Sequence, residues 1–238
     1  MYTKKDLINY SFKFKFEDER EITFHIKIEP LTMNLLRDNT EYPEWTKLEN
    51  FKCPHCPLNS SEFNYCPVAV NLNCVIKSFN NVSSFDKVFI DVNSDERGYY
   101  KKTDVQSGVS SLIGILMVTS GCPIMVKLKP MVRFHLPFAT LEETEYKVFS
   151  MYLLAQFIKK INGKQPDWDL FELQKIYDDI KILNLNVASK IADLESKDAS
   201  INAVVVLNNF ADIVSFNIEE QDLTNFNLYF KDYIDSDE

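Results

Sequence analysis

Apolar residues alternate with polar ones near the start of the chain. Tyr10, Phe12, Phe14 and Phe16 fall on one phase, with Ser11, Lys13 and Lys15 on the other. A period of two places successive side chains on opposite faces of a strand, so this stretch predicts a half-buried β-strand. A polar turn, Glu17 to Arg20, leads to a second alternation in which Ile22, Phe24, Ile26 and Ile28 share a face. The two form an antiparallel hairpin with an aromatic and branched aliphatic inner side. His25 lies on the opposite phase and is expected to face solvent. Lys87 to Val92 and Tyr99 to Thr103, separated by the turn Asn93 to Gly98, supply two more strands. An antiparallel sheet of about four strands with one greasy face needs a second layer to cover it.

Beyond residue 103 the period changes. Asp104 or Ser107 can cap a helix running through Leu112, Ile113, Leu116 and Met117 to Ser120, where Gly121 ends it. That helix is apolar nearly all round and studded with small residues, which predicts an interior helix with close neighbours. An earlier helix is predicted over Val68 to Phe79, with Cys74 beside its apolar side as a small hydrophobe. Thr140 to Glu143 reads as a capping box opening a helix that runs to Gly163. Further helices are expected from Leu170 to Leu183 and from Asn186 to Leu194. Residues 201–218 are open between strand and helix: Val204 to Leu207 alone suits a buried strand, but the spacing of Ile201, Val205, Phe210, Ile213 and Val214 favours a helix. In the acidic end, Phe226, Leu228 and Phe230 alternate and suggest an edge strand, with Asp232 to Glu238 fraying. The whole is an α+β chain: a mostly N-terminal antiparallel sheet covered by a C-terminal layer of four to five helices. It reads as one domain over 1–238, strand-rich to 103, helix-rich over 104–218, then an acidic tail over 219–238.

Composition narrows the functions. The 238 residues are 45% apolar, enough for one substantial core, and contain only 5 glycines, which argues against glycine-rich phosphate loops. A net charge of -9 repels polyanions, so neither nucleic acid nor an anionic membrane is an expected partner. The first residues carry no apolar core of a secretory signal, and the longest greasy run, Val109 to Val118, is too short to span a bilayer. A cytoplasmic location follows as the expectation. In a reducing compartment the cysteines are then free thiols or metal ligands rather than disulfides.

Cysteine spacing carries the most pointed chemistry. Cys53, Cys56, Cys66 and Cys122 are each followed by proline, and only Cys74 is not. A Cys-x2-Cys pair can close on one ion, and a third thiolate ten residues on can reach it. Cys122 sits at the end of the interior helix, a rigid place for a fourth ligand. The expectation is a structural four-cysteine Zn²⁺ site in a binding or regulatory protein. The alternatives are a [4Fe-4S] cluster, a dithiol redox pair over Cys53 to Cys56, or packed thiols that bind nothing. His55 and His135 are possible substitute ligands.

Lys127, Lys129, Arg133 and His135 interleave with Met125, Leu128, Met131 and Phe134, forming the one basic stretch of an acidic chain. It fits either an ordinary strand with a solvated face or an anchor for a carboxylate or phosphate. An anionic small molecule or a protein is therefore the expected partner. Zinc hydrolase chemistry lacks its histidines, and no Gly-x-Ser-x-Gly motif is present. The turn Asp95 to Arg97, with Tyr99, Tyr100 and Gln106, joins a strand to the interior helix and reads as either a solvated turn or a ligand junction.

Overall fold

Strand alternation governs the first half of the computed structural model, which describes residues 7–37, 42–220 and 222–235. Strands β1 (Ile8–Phe16), β2 (Glu21–Ile28), β3 (Lys87–Ser94) and β4 (Gly98–Asp104) form one antiparallel sheet in the order β2-β1-β3-β4. Phe12 pairs across to Phe24 on one side and Val92 on the other, and Phe14 pairs to Ile22 and Ile90. Phe12, Phe14, Ile28 and Ile90 are fully buried, so the pleat sends one complete row of side chains into the core. The opposite face is solvated. Lys13 pairs with Glu21 at 2.6 Å and Lys15 with Asp91 at 2.9 Å across neighbouring strands. Such exposed pairs fix register more than they add stability. His25 is exposed, and the Asp95 to Arg97 turn is a solvated hairpin end, with Asp95 accepting from the Asn9 side chain.

Helices cover the inner face in two further layers. After the short α1 (Leu48–Phe51), helix α2 (Pro67–Phe79) lays Phe79 against Phe14, with ring centroids 5.1 Å apart and an edge-on geometry, and against Phe24 at 5.9 Å. Helix α3 (Val105–Val118) starts where Asp104 accepts from the Ser107 amide, the expected cap. Gly108 brings α3 onto the sheet: a Cβ there would sit 1.9 Å from Ile90 Cδ1 and 3.0 Å from Phe14 Cε1. On its far side α3 meets α7 (Ala199–Glu219), where Gly114 faces Leu207. Helix α6 (Phe171–Ile191) packs antiparallel-fashion onto α7 as an outer layer, joined by α5 (Leu141–Ile161). The capping box at Thr140 and Glu143 is complete. Between α3 and α5 run a 3-10 turn (Met125–Leu128) and the short α4 (Lys129–Arg133), and α8 (Thr224–Ile234) closes the chain.

The α+β layout is thus the expected one, with three differences of detail. Residues 171–191 are one helix rather than two, because Asn184 and Asn186 turn inward to neighbours instead of breaking it. Residues 224–234 are helical rather than an edge strand: Phe226 is buried next to the Tyr146 ring, a helical anchor that three alternating residues disguise. Residues 125–133 are helical, not a strand with a solvated face. The ambiguous run at 201–218 is helix α7, the one described helix long and apolar enough by length and composition to cross a membrane; here it packs between α3 and α6. Of the end expected to fray, residues 236–238 lie outside the described residues.

Two glycines of α3 make opposite forecasts. Gly108→Ala forces the fully buried Ile90 and Phe14 to move and is expected to lower stability by about 1–3 kcal/mol in urea unfolding. Gly114→Ala finds its nearest atom at an ordinary 3.8 Å and should be neutral or stabilising by up to about 1 kcal/mol, from helix propensity. Equal effects at the two positions would contradict α3's close seating on the sheet.

Candidate functional site

The cysteine segment packs as a lid between the first turn of α2, the end of α3 and helix α6. Cys66 ends a short antiparallel bridge, Lys47 to Tyr65, and forms the N-cap of α2. Cys53 lies under α6, where the Asn186 amide donates to its Sγ at 3.5 Å. Gly121, at φ +93°, turns the chain after α3 and directs Cys122 inward. Cys53, Cys66 and Cys122 are buried, Cys56 is half-buried, and all are free thiols. They share one neighbourhood: burial first, then the other three sulfurs, pushes the Cys53 thiol up to about 12. Burial pushes Cys66 up to about 11 and also raises Cys122, although backbone amides at each favour the thiolate.

A metal centre does not follow from this meeting of thiols. Among the described residues no group of three or more His, Cys, Asp or Glu is disposed to hold a metal ion, which corrects the expected four-cysteine zinc or iron-sulfur site. The physical reason is the apolar seam itself. Cys53, Cys66 and Cys122 pack as small apolar groups in the same continuous core as Leu48, Phe51 and Val68, and the sulfurs are not disposed around one centre. The expected metal-stabilised regulatory protein, and the iron-sulfur or dithiol redox alternative, fall with it. Neither histidine substitutes. His55 lies beside the thiols with both ring nitrogens unbonded and Asp179 3.8 Å away, beyond hydrogen-bond reach, and His135 sits elsewhere. Cys74, expected to be packed, is on an exposed part of α2 with its thiol on the Asn71 carbonyl at 3.4 Å.

The basic stretch is dispersed as well. Lys129 Nζ donates to the Thr32 carbonyl at 2.5 Å and to Asn34 Oδ1 at 3.0 Å, tying the segment to the chain after β2. Lys127 and Arg133 are exposed. His135 alone turns inward, edge-on to Tyr10 with centroids 5.7 Å apart.

His135 opens onto a half-open cavity of about 260 Å³ between the middle and outer layers. Its floor is the small-residue side of α3, Ser107, Ser111 and Gly114, where short side chains leave space unfilled. One wall is apolar: Leu207 and Phe210 of α7, with Met125 and Met131 from the segment that crosses the top. The other is α6, where Tyr177, Ile180 and Asn184 follow at helical spacing. Tyr177 is 5% exposed and Asn184 is 2% exposed, and they place a phenol and an amide on this wall. A larger depression of about 580 Å³ near Trp45 and Phe51 lies open to solvent.

The cavity's ionisable groups gather at one end. His135 Nε2 and Ser111 Oγ are 3.2 Å apart, with the donor set by the ring's tautomer. The imidazole keeps some surface toward the cavity yet is shielded from bulk water, and burial, reinforced by the nearby Lys147 ammonium, depresses its pKa to about 3. It is neutral at ordinary pH. Burial also lowers the Lys147 pKa, and its Nζ donates to the Phe134 carbonyl at 2.6 Å, so two further N–H groups remain to it. Sequence reasoning marked His135 but missed Ser111, Lys147, Tyr177 and Asn184. The signal for the last two is faint: polar residues seven apart on an otherwise apolar helix face.

The thiol seam has a testable signature in pH. Folded pKa values raised above the ordinary thiol value mean that the unfolded chain releases protons first, so stability is full below about pH 9 and falls as pH rises toward 11–12. Urea midpoints measured across that range should fall more steeply for the wild type than for a Cys53→Ala/Cys66→Ala variant. Parallel slopes would show that these thiols ionise freely.

Comparison with known proteins follows from the same residues. No curated protein and no solved structure matches the chain. A family model does match, over residues 8–231, from the first strand through most of α8. The chain therefore belongs to the family described as Domain of unknown function (DUF6901).

Proposed function

We propose that this chain is a binding protein for a small, largely apolar molecule with a polar end, seated in the cavity between α3, α6 and α7. The observation that carries the reading is the cavity of about 260 Å³, where Leu207, Phe210, Met125 and Met131 give an apolar surface and Tyr177, Asn184, His135, Ser111 and Lys147 supply polar groups. Polar groups at the cavity wall can bond a ligand's polar end, while the Leu, Met and Phe surfaces supply the area for its apolar part.

A hydrolytic reading of Ser111 and His135 has less support. A general base works best with a pKa near the operating pH, and an imidazole held at about 3 is a poor proton acceptor at neutrality. Among the described residues no carboxylate orients the ring's other nitrogen, so the arrangement lacks the third member of a triad.

Octan-1-ol serves as a probe of matching size and character. Calorimetry on the full chain should show saturable one-to-one binding. Gly114→Leu, which extends a side chain into the cavity and improves helix propensity, should abolish it without unfolding the protein. Absence of binding by the wild type, or equal binding by the variant, would sink the reading.

A further inference from the structure

We infer that the cavity's ligand is a monocarboxylic acid with a short apolar tail, its carboxylate held at the Lys147, His135 and Ser111 end and its tail along α7. This rests on the proposed binding function and names the class of molecule.

Charge gives the first reason. Among the cavity's lining residues the ionisable side chains of ordinary charge are Lys101, Lys147 and His135, and no Asp or Glu is present. The chain as a whole carries 35 acidic residues against 26 basic ones. Glu143, one turn before Lys147 on α5, acts on that ammonium from outside the lining, so the cavity surface itself presents cations and no carboxylate to an anion. Lys147 is near enough to His135 to act on its ionisation, whereas burial alone acts on Tyr177, so the charged end and the phenol wall are distinct regions.

Donor geometry gives the second. Lys147 has two N–H groups beyond the one on Phe134, and the Ser111 and His135 pair, with a neutral ring, adds a further donor. One ammonium with neutral donors beside it matches a single negative charge shared by two oxygens. No arginine lines the cavity, so the planar fork that often clamps phosphate is missing. Volume sets the tail. At the ≈30 Å³ that a water occupies in the liquid, about 260 Å³ holds on the order of nine waters, and so a molecule of roughly ten non-hydrogen atoms. Octanoate has that size.

The test compares octanoate, octan-1-ol and octyl phosphate by calorimetry at neutral pH, on the full-length wild type, Lys147→Met and Gly114→Leu. Octanoate is expected to bind the wild type at least tenfold more tightly than octan-1-ol, the scale of a charge-assisted hydrogen bond. Lys147→Met should erase that preference, with a far-UV circular dichroism spectrum like the wild type's reporting that the variant is folded. Equal wild-type affinities for acid and alcohol would overturn the carboxylate assignment and leave the binding cavity standing. Tighter binding of octyl phosphate would likewise overturn it. If no probe binds, or binding survives Gly114→Leu, the cavity reading falls first and the assignment falls with it.

Discussion

No residue of helix α3 is fully exposed, and the rest of the molecule is arranged around that fact. The sheet presses on it at Gly108, where Ile90 and Phe14 occupy the space a side chain would need. Helix α7 presses from the other side, and Val109, Leu112, Ile115, Leu116 and Met117 are buried between them. A helix enclosed on both flanks must combine large apolar residues for the area they remove from water with small ones for close approach. The second requirement has a consequence beyond packing. Where Ser107, Ser111 and Gly114 face the outer layer, no neighbouring side chain fills the room they leave, and that room is the cavity. Native interiors hold few voids larger than a water molecule, so a space of this size with ionisable groups gathered at one end has a different character from a packing fault.

A second consequence lies at the other end of α3. Gly121 turns Cys122 into the seam formed by Cys53, Cys56 and Cys66, and the Arg37 guanidinium bonds both Asn71, at 2.7 Å, and the Ser120 carbonyl, at 2.9 Å. Asn71 in turn donates to the Leu116 carbonyl at 2.8 Å. The open carbonyls at the helix end are thereby met by side chains from α2 and from the segment after β2. Beside this polar tie the thiols do the apolar part of the work, as neutral groups in a dry seam. Proximity of thiols and capacity for a metal are separate properties: here the sulfurs share a neighbourhood without being disposed around one centre.

Much of the fold was legible in the residues because its local rules agree. The Tyr10 to Phe16 alternation, the Asp104 cap, the Thr140 and Glu143 capping box and the all-round greasy run at 105–118 each specify one outcome. The places that misled are those where tertiary contacts outweigh a local pattern. Asn184 and Asn186 look like a break in a helix, yet one faces the cavity and the other binds Cys53. Phe226, Leu228 and Phe230 alternate by chance within a helix anchored by Phe226. The candidate site was less legible. Cys-x2-Cys spacing shows that sulfurs can meet but not what surrounds them, and only His135 of the basic stretch proved to point inward. Ser111, Lys147, Tyr177 and Asn184 come from three helices and carry no motif, so their convergence is visible only after folding.

The half-open space beside α3 is the proposed binding site, and the methionines offer a direct probe of it. Met117 and Met131 line the cavity with Met125, whereas Met33 and Met151 do not. With the methionine methyls labelled with carbon-13, titration with octanoate followed by NMR should shift the Met117, Met125 and Met131 signals saturably, leaving Met33 and Met151 in place. Shifts at Met33 or Met151 instead, or none at the three cavity residues, would contradict it.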